Sequence, residues 1–476
     1  MSAPTEIAPG VAEAVARARA AMAAFADADQ AAAWMAVRAL AWAIYQPDRA
    51  RELAEMAVAQ TGLGDVESKV TKNRRKTFGT LRDILRTPTV GVIDDDPARG
   101  MLRIAKPVGV VCAVTPSTNP VATPVNKAMM AVAGRNAVII APSPSAWGVT
   151  SAAVDAMRAE LGRIGAPADL VQVMPAPVTK AATRALMEAC DLIVVTGSQD
   201  NVRTAYRSGT PAIGVGAGNV PVVIDESADL DAAATRIAAS KTFDNATSCS
   251  SENSLILLDS VYDAAIAALR RAGAFVCPAD SHERIRDMLW QGGKLNRHLI
   301  ARDAGVLADA FDLGEAARDA RFFLVEQPEV DPESPFTDEK LSLVLTVYRA
   351  RDFDHAIRQL HAILEVNGKG HSVGIHTADP ARAARLAHEI DVVRVLVNQA
   401  HTFGNGGSFD NALPFTLSMG GGTWAGNSIS ENLNVRHFLN VTHLVRTIPE
   451  DRPDEAALFG PFWAATGRDD GKETKA

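Results

Sequence analysis

Cys249 stands in Thr247-Ser248-Cys249-Ser250-Ser251, a run of hydroxyls followed by Glu252-Asn253. A structural cysteine normally sits among apolar residues at strand or helix spacing, whereas small polar neighbours suit a partly exposed thiolate that attacks an electrophile. It reads as a nucleophile. Cys112 and Cys190 lie within or beside apolar runs and read as core. With Cys277 they make four scattered cysteines without a Cys-x-x-Cys pair or a histidine cluster, which argues against a disulfide framework and against any metal site.

Other groups can serve such a nucleophile. Pro116-Ser117-Thr118-Asn119-Pro120 follows the apolar run 108–114. Asn119 at the carboxyl end of a strand can donate to a developing oxyanion together with the Cys249 N–H, although the same residues also make an ordinary turn. Thr196-Gly197-Ser198 reads as a strand-turn-helix able to present N–H groups to phosphate, or as a plain N-cap. The stretch from Gly214 through Gly216 and Gly218 to Asn219 lets a flat ligand approach the backbone, but it lacks the dinucleotide fingerprint and also fits a tight loop. Glu339, just before the strand-like run 343–348, is by itself a solvated carboxylate. Thr247, Ser248 and Ser250 make the surroundings of the sulfur hydroxyl-rich. Burying unpaired hydroxyls costs about 1 to 3 kcal/mol each, so a polar or anionic substrate suits them; Ser250 to Asn253 also suits a helix start.

These residues need elements to hold them. Apolar β-branched runs at 108–114, 137–140, 192–195 and 222–224 alternate with helical stretches at 122–134, 147–160, 179–189 and 229–240, which predicts an α/β, doubly wound parallel sheet. A second set of strands near 255–258, 343–348, 373–376 and 393–397 predicts a second α/β lobe. Helical periodicity opens the chain, and an acidic turn at 94–97 between apolar runs predicts a β arm over about 88–105. The expected division is a cofactor domain at 1–240, a catalytic domain at 241–424, and a return to the first lobe at 425–476 that ends in a disordered tail from 467. The arm and the strand-like stretch 438–448 point to pairing between subunits, hence a homodimer or homotetramer.

With 476 residues and 47% apolar content the chain can fill two cores. It shows no signal peptide and no run long enough to span a membrane, so the cytoplasm is the expected location. The net charge of -8 disfavours nucleic acid as a partner.

Taken in order, Pro116 to Pro120, Thr196 to Ser198, Gly209 to Asn219, Lys241 to Cys249, Glu339 to Ser342 and Trp424 to Asn432 resemble the aldehyde dehydrogenase superfamily in its acylating, coenzyme A-dependent branch. The resemblance implies that Cys249 attacks the aldehyde and that Asn119 and the Cys249 N–H form the oxyanion hole. It implies a cofactor held by Thr115, Pro116, Ser143, Thr196, Gly197, Ser198, Gly216 and Glu339, the last at the nicotinamide ribose. Where hydrolytic members open a Glu-Leu-Gly-Gly stretch with their general base, this chain has Gly214-Val215-Gly216-Ala217, so coenzyme A rather than water is expected to release the acyl group. Where those members carry Lys and often Glu for the adenosine ribose, it has Ala141-Pro142-Ser143-Pro144-Ser145, which permits NADP as well as NAD. The segments 244–254 and 434–449 resemble the sulfoacetaldehyde-oxidising members, which use NADP, with His401 as a contact for the sulfonate. Acetaldehyde, propanal or a carboxylated semialdehyde are the competing substrates. A hydrolytic enzyme using Glu252 as base and an inactive scaffold are the competing functions.

Overall fold

The computed structural model describes residues 9–468; most of the predicted disordered tail lies outside them. Strands β3 (Val110–Thr115), β4 (Ala137–Pro142), β5 (Val171–Val173), β6 (Leu192–Thr196) and β7 (Ala212–Val215) form a parallel sheet in the order β5-β4-β3-β6-β7. The chain winds outward from β3 through β4 to β5, then returns to add β6 and β7 on the other side. That reversal opens a crevice at the carboxyl ends of β3 and β6, the position at which open α/β sheets bind dinucleotides. Every residue of β3 and β4 is buried, as expected for strands covered on both faces. The opening helices α1 (Pro9–Ala24), α2 (Gln30–Tyr45), α3 (Pro47–Thr61) and α4 (Val66–Leu85) are followed by α5 (Ala122–Ala133), α6 (Trp147–Arg163), α7 (Lys180–Ala189) and α8 (Gln199–Arg207). The predicted doubly wound α/β architecture is the one found.

A second, seven-stranded sheet comprises β8 (Val220–Ile224), β9 (Glu252–Leu258), β10 (Ala274–Val276), β13 (Phe322–Gln327), β14 (Val344–Ala350), β15 (Val373–His376) and β16 (Val395–Val397), between which a small ribbon of β11 (Trp290–Gln291) and β12 (Lys294–Leu295) intervenes in sequence. Its order is β10-β13-β14-β9-β8-β15-β16. The boundary expected at 240 is displaced: β8 and helix α9 (Leu230–Thr242) pack into the second core, where Val222, Ala234 and Ile237 meet Leu255 and Leu345. The change of core therefore falls in the loop 216–219 between β7 and β8. The run 222–224, read with the first sheet, belongs to the second because an apolar strand carries no local mark of which sheet it will join.

The arm consists of β1 (Gly91–Asp96) and β2 (Met101–Pro107), and β17 (Leu439–Val445) extends it as a third antiparallel strand. The stretch expected to pair between subunits thus pairs with β2 of its own chain. Leu433, Val435 and Phe438 return to the first core. All four cysteines are free thiols, and Cys112, Cys190 and Cys277 are buried. No helix among the described residues is long and apolar enough to cross a membrane.

Candidate active site

The two sheets contribute opposite ends to one cavity. The first presents the carboxyl ends of β3 and β6, and the second presents the loops that enter β8, β9 and β14 at their amino ends. Between them lies a cavity of about 450 Å³ lined by Pro116, Asn119, Thr196, Gly197, Ser198, Gly216, Thr247, Ser248, Cys249, Ser250 and Glu339. Eleven of the residues singled out in the sequence therefore converge, drawn from segments as far apart as 116 and 339.

The loop before Cys249 is held by strain and charge. Asp244, Asn245 and Ala246 all have positive φ, of 53°, 51° and 61°, which non-glycine residues adopt only when their surroundings impose it. Asp244 supplies that restraint. It is fully buried, its Oδ1 accepts the Asp65 N–H at 3.0 Å, and its Oδ2 accepts from Lys69 at 3.1 Å, from Thr247 Oγ1 at 2.7 Å and from Lys72. Burial opposes its ionisation, but Lys72 and Lys69 outweigh that cost and hold the carboxyl below its usual range. The loop that carries Cys249 is thereby fastened to α4.

Asn119 is oriented from the same helix. Lys72 Nζ donates to Asn119 Oδ1 at 2.8 Å, which leaves the amide nitrogen as the free end; its bond to Thr118 Oγ1 is long, at 3.3 Å. A carboxamide turned in this way presents a donor. Neither Lys72 nor Asp244 was singled out in the sequence, although Lys72, Arg75 and Lys76 at i, i+3, i+4 spacing mark one helix face. All three line the cavity.

Cys249 keeps partial access through the cavity, yet it is not the ready thiolate its polar neighbours imply. Burial, then the charge of Glu339, push the thiol up to about 12, with Arg394 pulling the other way. Glu339 is itself pushed up to about 8 by burial and by Asp338, while the Gly218 N–H it accepts, Lys241 and Lys340 draw it down. Lys340 fixes the Glu339 loop to β9: its N–H donates to Asn253 Oδ1 at 2.9 Å and its Nζ to the Asn253 carbonyl at 3.1 Å. Gly218 is constrained by packing, since a Cβ there would stand 2.3 Å from the Cys249 carbonyl and 3.0 Å from the His371 ring.

Other expected residues fall outside the cavity. His401 is 1% exposed, shares a hydrogen bond of 2.9 Å with Ser372, and is driven down to about 3 by burial, so it stays neutral and cannot clamp an anion. Its neighbours Thr402 and Phe403 line the cavity instead. Glu252 is also buried, its Oε1 accepting the His401 N–H at 3.2 Å, and burial raises it to about 7. Being the first residue of β9, it turns away from the cavity and cannot present a base to water there. Thr115 ends β3 beneath the cavity, and Ser143 follows β4, farther along the sheet edge, where its N–H donates to the Thr115 carbonyl at 3.2 Å.

The crevice residues fit a nicotinamide dinucleotide. Thr115 Oγ1 is buried there without a partner, and nothing lies closer than 3.8 Å to where a Cβ on Gly197 would stand. Ser198 caps α8, whose N-terminus faces the same crevice. Among the described residues, Glu339 is the one carboxylate lining the cavity, and no histidine lines it.

The aldehyde dehydrogenase family profile matches residues 2–279. The chain is 51% identical to a sulfoacetaldehyde dehydrogenase (acylating) from Cupriavidus necator over 97% of this chain and 94% of that one. An acetylating aldehyde dehydrogenase from Geobacillus thermoglucosidasius superposes with a TM-score of 0.89 at 34% identity, covering 93% of this chain and 98% of its own. A propionaldehyde dehydrogenase from Rhodopseudomonas palustris, solved with bound CoA and an acylated cysteine, gives a TM-score of 0.82 at 26% identity, covering 92% and 97%.

Proposed function

The chain belongs to the aldehyde dehydrogenase family, and from that premise we propose that it oxidises sulfoacetaldehyde in the presence of coenzyme A, giving sulfoacetyl-CoA and reduced NADP. The observation that carries the acylating reading is the cavity wall itself. Positions 214–217 offer no carboxylate, Glu252 faces elsewhere, and Glu339 is committed to the Gly218 N–H.

The chemistry follows from that wall. Cys249 gives up its thiol proton to solvent and the thiolate Sγ adds to the aldehyde carbon, opening the carbonyl π bond to an oxyanion that Asn119 Nδ2 and the Cys249 N–H would receive. Thr196 to Ser198 and Glu339 would hold a nicotinamide dinucleotide, which when bound would supply the acceptor for the hydride that leaves this carbon. What stays on Cys249 is a thioester. Water attacking it without a general base loses on the order of 10² to 10⁴ in rate, whereas a thiol has an appreciable thiolate fraction near neutrality. The thiolate form of coenzyme A, its proton already lost to solvent, therefore forms the new C–S bond as the Cys249 C–S bond breaks, and Cys249 departs as thiolate. Every step is reversible, so concentrations set the direction.

NADP is the cofactor this reading favours. The end of β4 carries no carboxylate to repel a 2'-phosphate, and Ser143 Oγ and Ser145 Oγ stand 3.3 Å apart there as hydroxyl partners. The three-stranded arm leaves the outer edges of β1 and β17 unpaired within the chain, which supports a homodimer or homotetramer, and we place the enzyme in the cytoplasm. The deciding assay is NADPH formation from sulfoacetaldehyde and NADP, with and without CoA, beside acetaldehyde and NAD. Strict CoA dependence with sulfoacetaldehyde preferred is expected; steady CoA-independent turnover overturns the acylating reading, and preference for acetaldehyde overturns the substrate.

A further inference from the structure

Two cations on the cavity wall have no role in the chemistry above. Lys72 is neutralised by Asp244, but Arg75 and Lys76, one turn along α4, make no ion pair with any carboxylate among the described residues. Asp410, an exposed residue, is the one acidic group whose charge acts on Arg75. Lys76 Nζ donates to the Gly406 carbonyl at 2.7 Å and has donors to spare. Arg75 donates from one terminal nitrogen to Ser408 Oγ at 2.8 Å, and its Nε is buried without a partner.

Their placement is enforced. The Arg75 guanidinium lies over the rings of Phe403, Phe409 and Phe415, with Cζ 5.5, 5.3 and 5.7 Å from the centroids, so aromatic faces rather than a carboxylate hold the charge in position. A Cβ on Gly406 would come within 2.7 Å of Lys76 Nζ, so the lysine tip is packed against bare backbone. Burial of uncompensated charge is unfavourable, and a site retains it where a ligand brings the opposite sign.

Sulfoacetaldehyde brings that sign. One methylene separates its sulfonate from the carbon that Cys249 attacks, so the anion must lie in the same cavity as the sulfur. Arg75, Lys76 and Cys249 all line it, and the charges of Lys76 and Cys249 act on each other. We infer that Arg75 and Lys76 form the clamp for the substrate's sulfonate and set the preference for an anionic over an alkyl aldehyde, an inference that rests on the sulfoacetaldehyde reading above. The planar fork of Arg75 matches two sulfonate oxygens, and Lys76 supplies a point charge for the third.

The test is the ratio of kcat/KM for sulfoacetaldehyde to kcat/KM for acetaldehyde in the wild type, Arg75→Gln and Lys76→Met. The ratio should fall by on the order of 10²-fold in each variant, chiefly through KM for sulfoacetaldehyde. A wild-type ratio below one means that the substrate reading has failed. A wild type that prefers sulfoacetaldehyde beside variants whose ratio stays within about threefold of it means that the clamp has failed and the substrate reading stands. Where a variant folds poorly, the wild type still decides. Ethanesulfonate should slow capture of Cys249 by iodoacetamide while its neutral counterpart ethanesulfonamide does not, and equal protection by the two overturns the clamp.

Discussion

Lys72 Nζ lies 2.8 Å from Asn119 Oδ1 and also bonds Asp244, so one ammonium group on α4 orients the proposed oxyanion donor and fastens the loop bearing Cys249, the proposed nucleophile. Asn119→Ala should lower kcat by about 10² to 10³, the usual cost of losing one oxyanion donor. Lys72→Met leaves Asn119 in place but free to turn, and it also strips a partner from a buried carboxylate, so both kcat and melting temperature should fall. Steady-state kinetics beside thermal melts separate the two variants: Asn119→Ala should melt within a few degrees of the wild type.

Cys249 should alkylate slowly at neutral pH. Its thiol is pushed up to about 12 by burial and by Glu339, so the iodoacetamide rate in the protein without ligands should climb through pH 9 without reaching a plateau. The Glu339 charge disfavours a second negative charge beside it, and Glu339→Gln should therefore shift that curve to lower pH. An unshifted curve in a folded variant would show that burial alone sets the thiol.

Restoring the water-activating base of hydrolytic members is not a simple exchange in this chain. Gly214 lies within β7, and a Cβ there would stand 2.6 Å from Val202 Cγ1 and 3.3 Å from the Tyr206 hydroxyl. Gly214→Glu should destabilise the protein by about 1 to 3 kcal/mol through overpacking, without giving CoA-independent turnover. A melt and an NADPH assay without CoA check both halves.

Without coenzyme A, the wild type should release one NADPH per Cys249 and stop, leaving an acyl adduct on that residue. Stopped-flow absorbance counts the burst and mass spectrometry of the digested protein locates the adduct. Cys249→Ala should show neither.

Lys76 is brought down to about 7 by burial, Arg75 and Lys72. Its charge fades as pH rises through that value, so the preference for sulfoacetaldehyde over acetaldehyde in kcat/KM should decline above about pH 7. Taking the ratio cancels the Cys249 ionisation, which both aldehydes share. The groups facing Lys76 are Arg75 and Lys72 on its own helix, the Cys249 thiol, the Gly406 carbonyl and the Phe415 ring. Lys76→Met should show a flat ratio.

What the chain determined by itself is what short-range patterning can carry. Near-continuous apolar runs marked β3, β4, β6, β9 and β15, because strands buried on both faces need apolar residues at every position. The short strands β5, β7 and β10 carry too few residues for a pattern. The hydroxyl neighbours of Cys249 and the absence of a carboxylate from Gly214 to Ala217 were legible, since both are statements about residue type in a local segment, whereas the burial that raises the Cys249 thiol was not.

The tertiary structure decided where charges meet. Lys72 and Asp244 are 172 residues apart, and no periodicity in either segment announces the pair. Glu252 and His401, polar residues near the nucleophile in sequence or by resemblance, are turned inward by the strand and helix that carry them. Nothing local to Arg75 and Lys76 marks them out among the basic residues of 72–76; packing of α4 against the Cys249 loop and the aromatic segment 403–415 places them on the cavity wall. A side chain's type is written in the sequence, but its solvation and its partners are set by which distant surfaces fold against it, and those set its charge and its use.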